Sequence, residues 1–437
     1  MMVSFKKLIT IFAIVLAIRS ALGFPINAFA QENAPVEFHA QAKAAISVDV
    51  ETGKIFYAQN ADEQLPIASI TKLITAYIVL QEVSKGSISW LDEVPISLYA
   101  HLLSVDWRLS GVPLELERTY TVKELFDALL IPSSNGAAVA LAEKIAGSEQ
   151  VFVQKMHDLV ESFGIEDAHI VNASGIDNSF VPIEEQNPNT APNDETKMSA
   201  RSVAILARRL LKDFPEVLEI TQIVRETFGI GTASQVEMLA TNQMLSGMFL
   251  AYDGMDGLKT GTSVLAGQSF VGTAQREDWR ILTVVLNADE SLGNFSRFIV
   301  TRTLMDFTFE NWTQQKVLTK GATFTAARYF PVYDGKAQRV PLHLAKDVTF
   351  WVQSGMNTNN LHIVFNNPEN DLIAPIEEGK NVGTVSITLV EDTHGYLEES
   401  LAPSYIFPMR TAKSVERDGF FPIVWRRVFE FISWYLT

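Results

Sequence analysis

The chain has 437 residues, 47% hydrophobic content and a formal net charge of −16 at pH 7, enough apolar material for a large core divided between two domains. So acidic a body excludes non-specific binding to nucleic acid or anionic lipid, and the absence of cysteine excludes a thiolate nucleophile and a cysteine-bound metal. The histidines are scattered, with no H-E-x-x-H pair, and no G-x-S-x-G elbow or glycine-rich phosphate loop occurs. Neither a metal nor a cofactor is expected.

In chain order, Lys6-Lys7, the apolar stretch from Leu8 to Ile18, and Ala28-Phe29-Ala30 form the basic, apolar and small-residue pattern of a secretory leader over residues 1–30. The apolar part is too short to span a bilayer. Next, Pro66-Ile67-Ala68 leads to Ser69-Ile70-Thr71-Lys72 and then Leu73, Ile74, Ala76, Tyr77, Val79 and Leu80. This predicts a buried helix with Ser69 in its first turn. Residues three apart share a helix face, so Lys72 is placed beside the Ser69 hydroxyl while Leu73 and Tyr77 face the core. Taken alone, S-x-x-K occurs by chance about once in a chain this long, and a capping serine before a solvated lysine would explain it equally well.

Ser133-Ser134-Asn135 lies between Leu125–Ile131 and Ala137–Ala142, with Pro132 marking the turn. A turn between two packed helices can hold a hydroxyl and an amide rigidly at a cleft edge, although a helix cap would use the same residues. The polar segment from Phe180 to Lys197, rich in Asn, Pro and Glu, reads as a long loop. Lys259-Thr260-Gly261 is rarer, about one chance occurrence in ten such chains. With Phe270-Val271 and the Ile281–Leu286 run it predicts a β-hairpin, on which Gly261 lets a substrate lie close to the strand.

The chain divides near Trp312. The stretch from Gln315 to Pro408 has short alternating runs such as Val348–Val352, Leu361–Phe365 and Val382–Ile387, the pattern of a small β domain. From Met409 onward, Phe421, Val424, Trp425, Val428, Phe429, Ile432, Tyr435 and Leu436 follow helical spacing, while Arg426, Glu430, Ser433 and Thr437 mark the opposite face. An amphipathic helix of about sixteen residues is about 24 Å long, too short to cross a bilayer and suited to lie on its surface.

The three motifs in this order, with Val48–Lys54, Leu65–Lys72, Pro132–Asn135 and Asp256–Gly261 around them, resemble those of the serine-type D-alanyl-D-alanine carboxypeptidases, the low-molecular-mass penicillin-binding proteins. The resemblance runs from about Ala44 to the C-terminus. It implies an α/β (α+β) catalytic domain like that of β-lactamases and transpeptidases over 31–312, a small all-β domain over 313–408 and a membrane-anchoring amphipathic helix over 409–437. It also implies action on peptidoglycan stem pentapeptides and acylation by β-lactams, and the leader pattern with the C-terminal helix predicts a secreted protein bound to the outer face of the bacterial cytoplasmic membrane. Ser69 is then the nucleophile, Lys72 the base, Ser133 a proton relay and Asn135 a holder of Lys72 and of the substrate amide. Lys259, Thr260 and Gly261 form the carboxylate receptor, with Thr262 and Ser69 supplying backbone N–H groups to the oxyanion; Arg297, by its spacing to Phe307, assists with the carboxylate. Lys72 acts as a base only when neutral, which burial near the second cation Lys259 favours.

Two positions depart from the family pattern, since Gly136 and Ser202 stand where aspartates are expected. A class A-like β-lactamase shares the motifs but requires a carboxylate for deacylation, for which Glu184 and Glu185 are the candidates. A non-catalytic wall-binding protein on the same scaffold is the second alternative.

Overall fold

The computed structural model describes residues 37–188, 190–366, 371–398 and 405–436, so the predicted leader over 1–30 lies outside the described residues. The catalytic body is built on a five-stranded antiparallel sheet of β1 (Ala42–Asp49), β2 (Ile55–Gln59), β3 (Met255–Ser263), β4 (Gly267–Arg276) and β5 (Trp279–Ala288), in the order β2-β1-β5-β4-β3. Period-two alternation assigns the two faces. Ala44, Ile46 and Val48 of β1 and Leu282, Val284 and Leu286 of β5 join one core, while Ala45, Ile281 and Val285 belong to clusters on the other side.

The first face packs against a helical layer: α1 (Lys72–Ser84), α2 (Leu98–Val105), α3 (Val122–Leu130), α4 (Asn135–Ala146), α5 (Glu149–Ser162) and α6 (Ala200–Asp213). The opposite face is covered by α7 (Ser296–Asn311), whose Val300, Leu304 and Phe307 are buried against it. The sequence explains the clean helix starts. Thr121 and Glu124 form a capping box before α3, and Ser97, Ser134, Ser148 and Ser199 each accept a first-turn N–H, satisfying donors that would otherwise be orphaned.

A second body begins at Trp312. It holds a two-stranded ribbon, Trp312–Leu318 with Val348–Gln353, and a six-stranded sheet with its own core around Val340, Leu342, Val385, Ile387 and Met409. The predicted boundary at 408/409 is corrected here. Strand Ile406–Thr411 runs across it with Phe407, Met409 and Thr411 buried, and Val415 exchanges backbone hydrogen bonds with Ile376. The β domain therefore continues through this segment, and α8 starts only at Phe420, running to Leu436. Among the described residues, no helix is long and apolar enough to cross a membrane.

The segment 392–398 returns to the catalytic body, where Leu397 enters the main core and its N–H donates to Gly53 O at 2.9 Å. Lys54, fully buried, meets Asp392 at 2.5 Å and Gly395 O at 3.1 Å.

Candidate active site

Ser69 does not lie in the first turn of α1 as predicted. It sits in a separate 3-10 turn, Ala68–Thr71, that leads into the helix. Ala68 has φ +46°, a left-handed conformation that costs a non-glycine residue about 1 kcal/mol or more. Thr71 Oγ1 braces the turn by donating to Ala68 O at 2.7 Å. The i to i+3 relation still places Lys72 next to the serine, with Nζ 3.0 Å from Ser69 Oγ.

Lys72 is wholly buried and has two further neighbours, Asn135 Oδ1 at 2.7 Å and Ser174 O at 2.8 Å. Both can only accept. Asn135 Nδ2 donates to Ser110 O at 3.1 Å, which fixes the orientation of the amide and leaves Oδ1 for the lysine. Burial, then the positive charge of Lys259, push the Lys72 pKa well below 10.5, with Glu149 opposing. A neutral amine has two hydrogens for Asn135 and Ser174, so its lone pair is left facing the Ser69 hydroxyl.

The Ser133-Ser134-Asn135 turn divides its tasks. Ser134 caps α4 through Ala137 N, which leaves its neighbours free for the cleft. Ser133, at φ +67°, is buried with an Oγ that has no hydrogen-bond partner, and it lines the same cleft as Ser69. Gly136 stands where a side chain has no space, since a Cβ there would come within 2.6 Å of Ala100 O. At the other departure, Ser202 Oγ donates to Asp167 Oδ1 at 2.5 Å and Ser199 N donates to Oδ2 at 2.9 Å. Asp167 thus brings a carboxylate to that helix start from a different part of the chain.

On the edge strand β3, alternation sends Lys259 and Gly261 towards the Ser69 turn and Thr260 and Thr262 into the cleft. The expectation for Gly261 is corrected by this arrangement. Its missing side chain admits protein, not substrate, because a Cβ would lie 2.5 Å from Ile67 O. Lys259 is fully buried behind the wall, its Nζ donating to Thr260 O at 3.2 Å. Burial and then the Arg297 charge bring its pKa down to about 7. Arg297 reaches the cleft from α7 and holds the strand by donating to Thr262 Oγ1 at 2.7 Å and Gly261 O at 2.9 Å. Burial lowers its pKa to about 10. Lys259 and Arg297 form no ion pair among the described residues, so they supply the positive charge at this point of an otherwise acidic chain while Lys72 is neutral.

The cleft has a volume of about 340 Å³. Several of its residues were not legible as site residues. Ser110, Thr241 and Asn294 line it, and Thr241 N is bonded to Ile131 O at 3.3 Å, which ties one wall to the serine turn. Ser174 acts through a backbone carbonyl, which side-chain identity does not reveal. The turn presenting it is shaped by Asn172 Oδ1, which accepts from Ser174 N, Ser174 Oγ and Gly175 N. Glu149, the first residue of α5, is buried and accepts from Ala173 N at 2.8 Å and Tyr99 OH at 2.9 Å, so it positions the same turn. Glu184 and Glu185 do not line the cleft; they occupy the turn whose Glu184 O accepts from Gln150.

Both bodies of the chain match known families. Residues 29–290 match the family model described as D-alanyl-D-alanine carboxypeptidase, and residues 312–417 match that of the penicillin-binding protein 5 C-terminal domain. The chain is 27% identical over 366 residues to D-alanyl-D-alanine carboxypeptidase DacF of Bacillus subtilis, covering 83% of this chain and 86% of that one. It is 28% identical over 415 residues to D-alanyl-D-alanine carboxypeptidase DacC of Escherichia coli, covering 94% of each. Among solved structures it is similar to a peptidoglycan synthesis regulatory factor (PBP3) from Streptococcus pneumoniae, with 38% identity, a TM-score of 0.67, and coverage of 87% of this chain and 100% of that one.

Proposed function

Because the chain belongs to the D-alanyl-D-alanine carboxypeptidase family, and is thus a serine-type hydrolase of peptidoglycan peptides that also binds β-lactams, we propose that Ser69 is its nucleophile and Lys72 its general base. The observation that carries this assignment is the contact of a buried, charge-depressed Lys72 Nζ with Ser69 Oγ at 3.0 Å. Ser69 Oγ attacks the carbonyl carbon of the penultimate D-Ala while Lys72 takes its proton. The new C–O bond forms as the C–N bond to the terminal D-Ala breaks, and the proton passes through Ser133 to the departing amine. Water then hydrolyses the ester. In a β-lactam the amine remains tethered to the acyl group, so the leaving group cannot diffuse away. Backbone N–H groups of Ser69 and Thr262 face the developing oxyanion.

The terminal carboxylate sits against the Thr260 and Thr262 hydroxyls and Arg297, with Lys259 supplying charge from behind. Binding an anion favours protonated Lys259, raising its pKa from about 7, and the same charge keeps Lys72 neutral. Lys259→Ala is expected to lower acylation by substrates with a free C-terminal carboxylate by about tenfold or more, on a charge-assisted contribution of about 1.5–3 kcal/mol. Amidated analogues should lose far less. Steady-state kinetics on the matched acid and amide check this, and equal losses on both would remove Lys259 from carboxylate recognition.

We further propose that the chain is exported and held on the outer face of the cytoplasmic membrane by α8. Phe421, Trp425 and Phe429 are 83%, 68% and 63% exposed, while the basic side is engaged with the β domain: Arg426 bonds Gly335 O and pairs with Asp418, and Arg427 pairs with Asp334. An apolar face turned outward and a polar face fastened inward suit a helix lying in the headgroup layer. Deleting the residues after Asp418, which spares the buried Val415, should release the protein from zwitterionic liposomes in a sedimentation assay and leave soluble turnover nearly unchanged. Trp425→Glu with Phe429→Glu should do the same. Pelleting of either variant at the wild-type level would contradict the anchor.

A further inference from the structure

A second cavity, of about 540 Å³, opens at the joint between the two bodies and is larger than the catalytic cleft. The catalytic body contributes Trp279, Phe309, Glu277 and Asp278 to it, and the β domain contributes Trp312 and Trp351. Trp279 and Trp351 lie 4.5 Å apart at 32°, and Phe309 meets Trp279 edge-on at 4.9 Å. The walls are preformed. The Lys54–Asp392 pair holds the joint, Lys54 also lies 5.4 Å from the Trp312 ring centroid, and Arg209 pairs with Glu398 at 3.2 Å.

Two features set this place apart from ordinary interdomain packing. Trp279 and Trp351 are only half-buried, so part of each ring faces the cavity, whereas Trp312 is 3% exposed and backs the wall. In addition, the carboxylates of Glu277 and Asp278 are exposed beside the rings and form no ion pair among the described residues. We propose that this cavity is a carbohydrate subsite that takes one or two pyranose rings of a glycan.

The chemistry selects that ligand. Pyranose C–H faces stack on exposed parts of aromatic rings such as Trp279 and Trp351, and sugar hydroxyls donate to carboxylates. The acidic rim opposes an anion. A lone ammonium would leave most of the volume empty, and the cation–π position over Phe309 is already taken by Arg276 at 4.3 Å. The volume falls in the range of small-molecule sites, about 300–1,000 Å³. Only the identification of the glycan rests on the carboxypeptidase reading: the polymer that carries the stem peptides is built from N-acetylated amino sugars.

The test titrates the full chain with two peptide-free oligomers, the β-1,4 tetramer of N-acetylglucosamine and cellotetraose, following tryptophan fluorescence and calorimetry. Asp278→Lys at the exposed rim and Trp351→Ala in the wall are run beside the wild type. The expected result is saturable binding of the N-acetylated tetramer, tighter than that of cellotetraose and weakened about tenfold or more by each variant. D-Ala release from a short soluble pentapeptide should remain at the wild-type level in all three proteins, which reports both folding and the catalytic assignment independently. Equal binding of the two oligomers would assign the subsite to pyranoses in general and overturn its link to the wall glycan. No saturable binding by either, or binding indifferent to Asp278→Lys, would overturn the subsite while leaving the carboxypeptidase intact.

Discussion

Ser69→Ala abolishes labelling by a fluorescent penicillin and lowers D-Ala release on the order of 10⁴-fold or more, the loss typical of removing a nucleophile that works as a unit with its base. No other group can take over. The chain has no cysteine, and Lys72 Nζ is directed to Ser69, Asn135 and Ser174 O, with no bond to Ser133. Ser69 is only partly buried, and the lost hydroxyl makes one hydrogen bond, to Lys72, so the stability change should stay within about 1 kcal/mol. Gel fluorescence and a D-Ala assay on the folded variant check the expectation. Labelling that survives would place the nucleophile elsewhere.

The second large effect falls on Lys72. Lys72→Met keeps most of the side-chain volume and removes the base, and the rate of acylation by penicillin should fall about 10²–10⁴-fold, the usual contribution of a positioned general base. The variant also leaves Asn135 Oδ1 and Ser174 O buried without their donor, at about 1–3 kcal/mol for each unsatisfied group. Its melting temperature should therefore drop even though a desolvated amine is gone. Stopped-flow acylation and thermal unfolding separate the two consequences. An acylation rate within tenfold of wild type would show that another group takes the Ser69 proton.

How much of this site could be read in the sequence depends on the range of the physics involved. The pairing of Ser69 with Lys72 follows from helical spacing, and it holds even though the serine occupies a 3-10 turn, because residues three apart stay adjacent in both geometries. Alternation likewise predicts the pairing of Phe270-Val271 with the Ile281–Leu286 run, seen as β4 and β5, and the β-rich second domain, but not the further turn that separates β3 from β4. It does not reveal which way a strand faces, so Gly261 read as a place for substrate when it makes room for Ile67 O. The left-handed Ala68, the Ser174 carbonyl and the bracing by Glu149 are consequences of tertiary contacts across the helical layer, to which no local pattern points. The β domain's true end was hidden for a related reason. Met409 and Val415 are ordinary apolar residues next to a strongly helical stretch, and only pairing with distant segments, Met409 with Leu344 in the sheet and Val415 with Ile376 in an isolated bridge, makes them part of the β domain.

The pH dependence of acylation by penicillin, with the adduct mapped by mass to the peptide containing Ser69, tests the central claim most directly. Lys72 loses its proton well below 10.5 because burial and Lys259 disfavour its charged form. As pH rises through that depressed value the neutral fraction of Lys72 grows, so the rate should climb, stop rising well below pH 10.5, and fall again where Lys259, with its pKa at about 7 in the free enzyme, loses the charge that receives the carboxylate. In Lys259→Ala the climb should move to higher pH, since a cation that disfavours protonated Lys72 is gone. A wild-type rate that keeps rising to pH 10.5, or an adduct on any residue other than Ser69, would contradict the account.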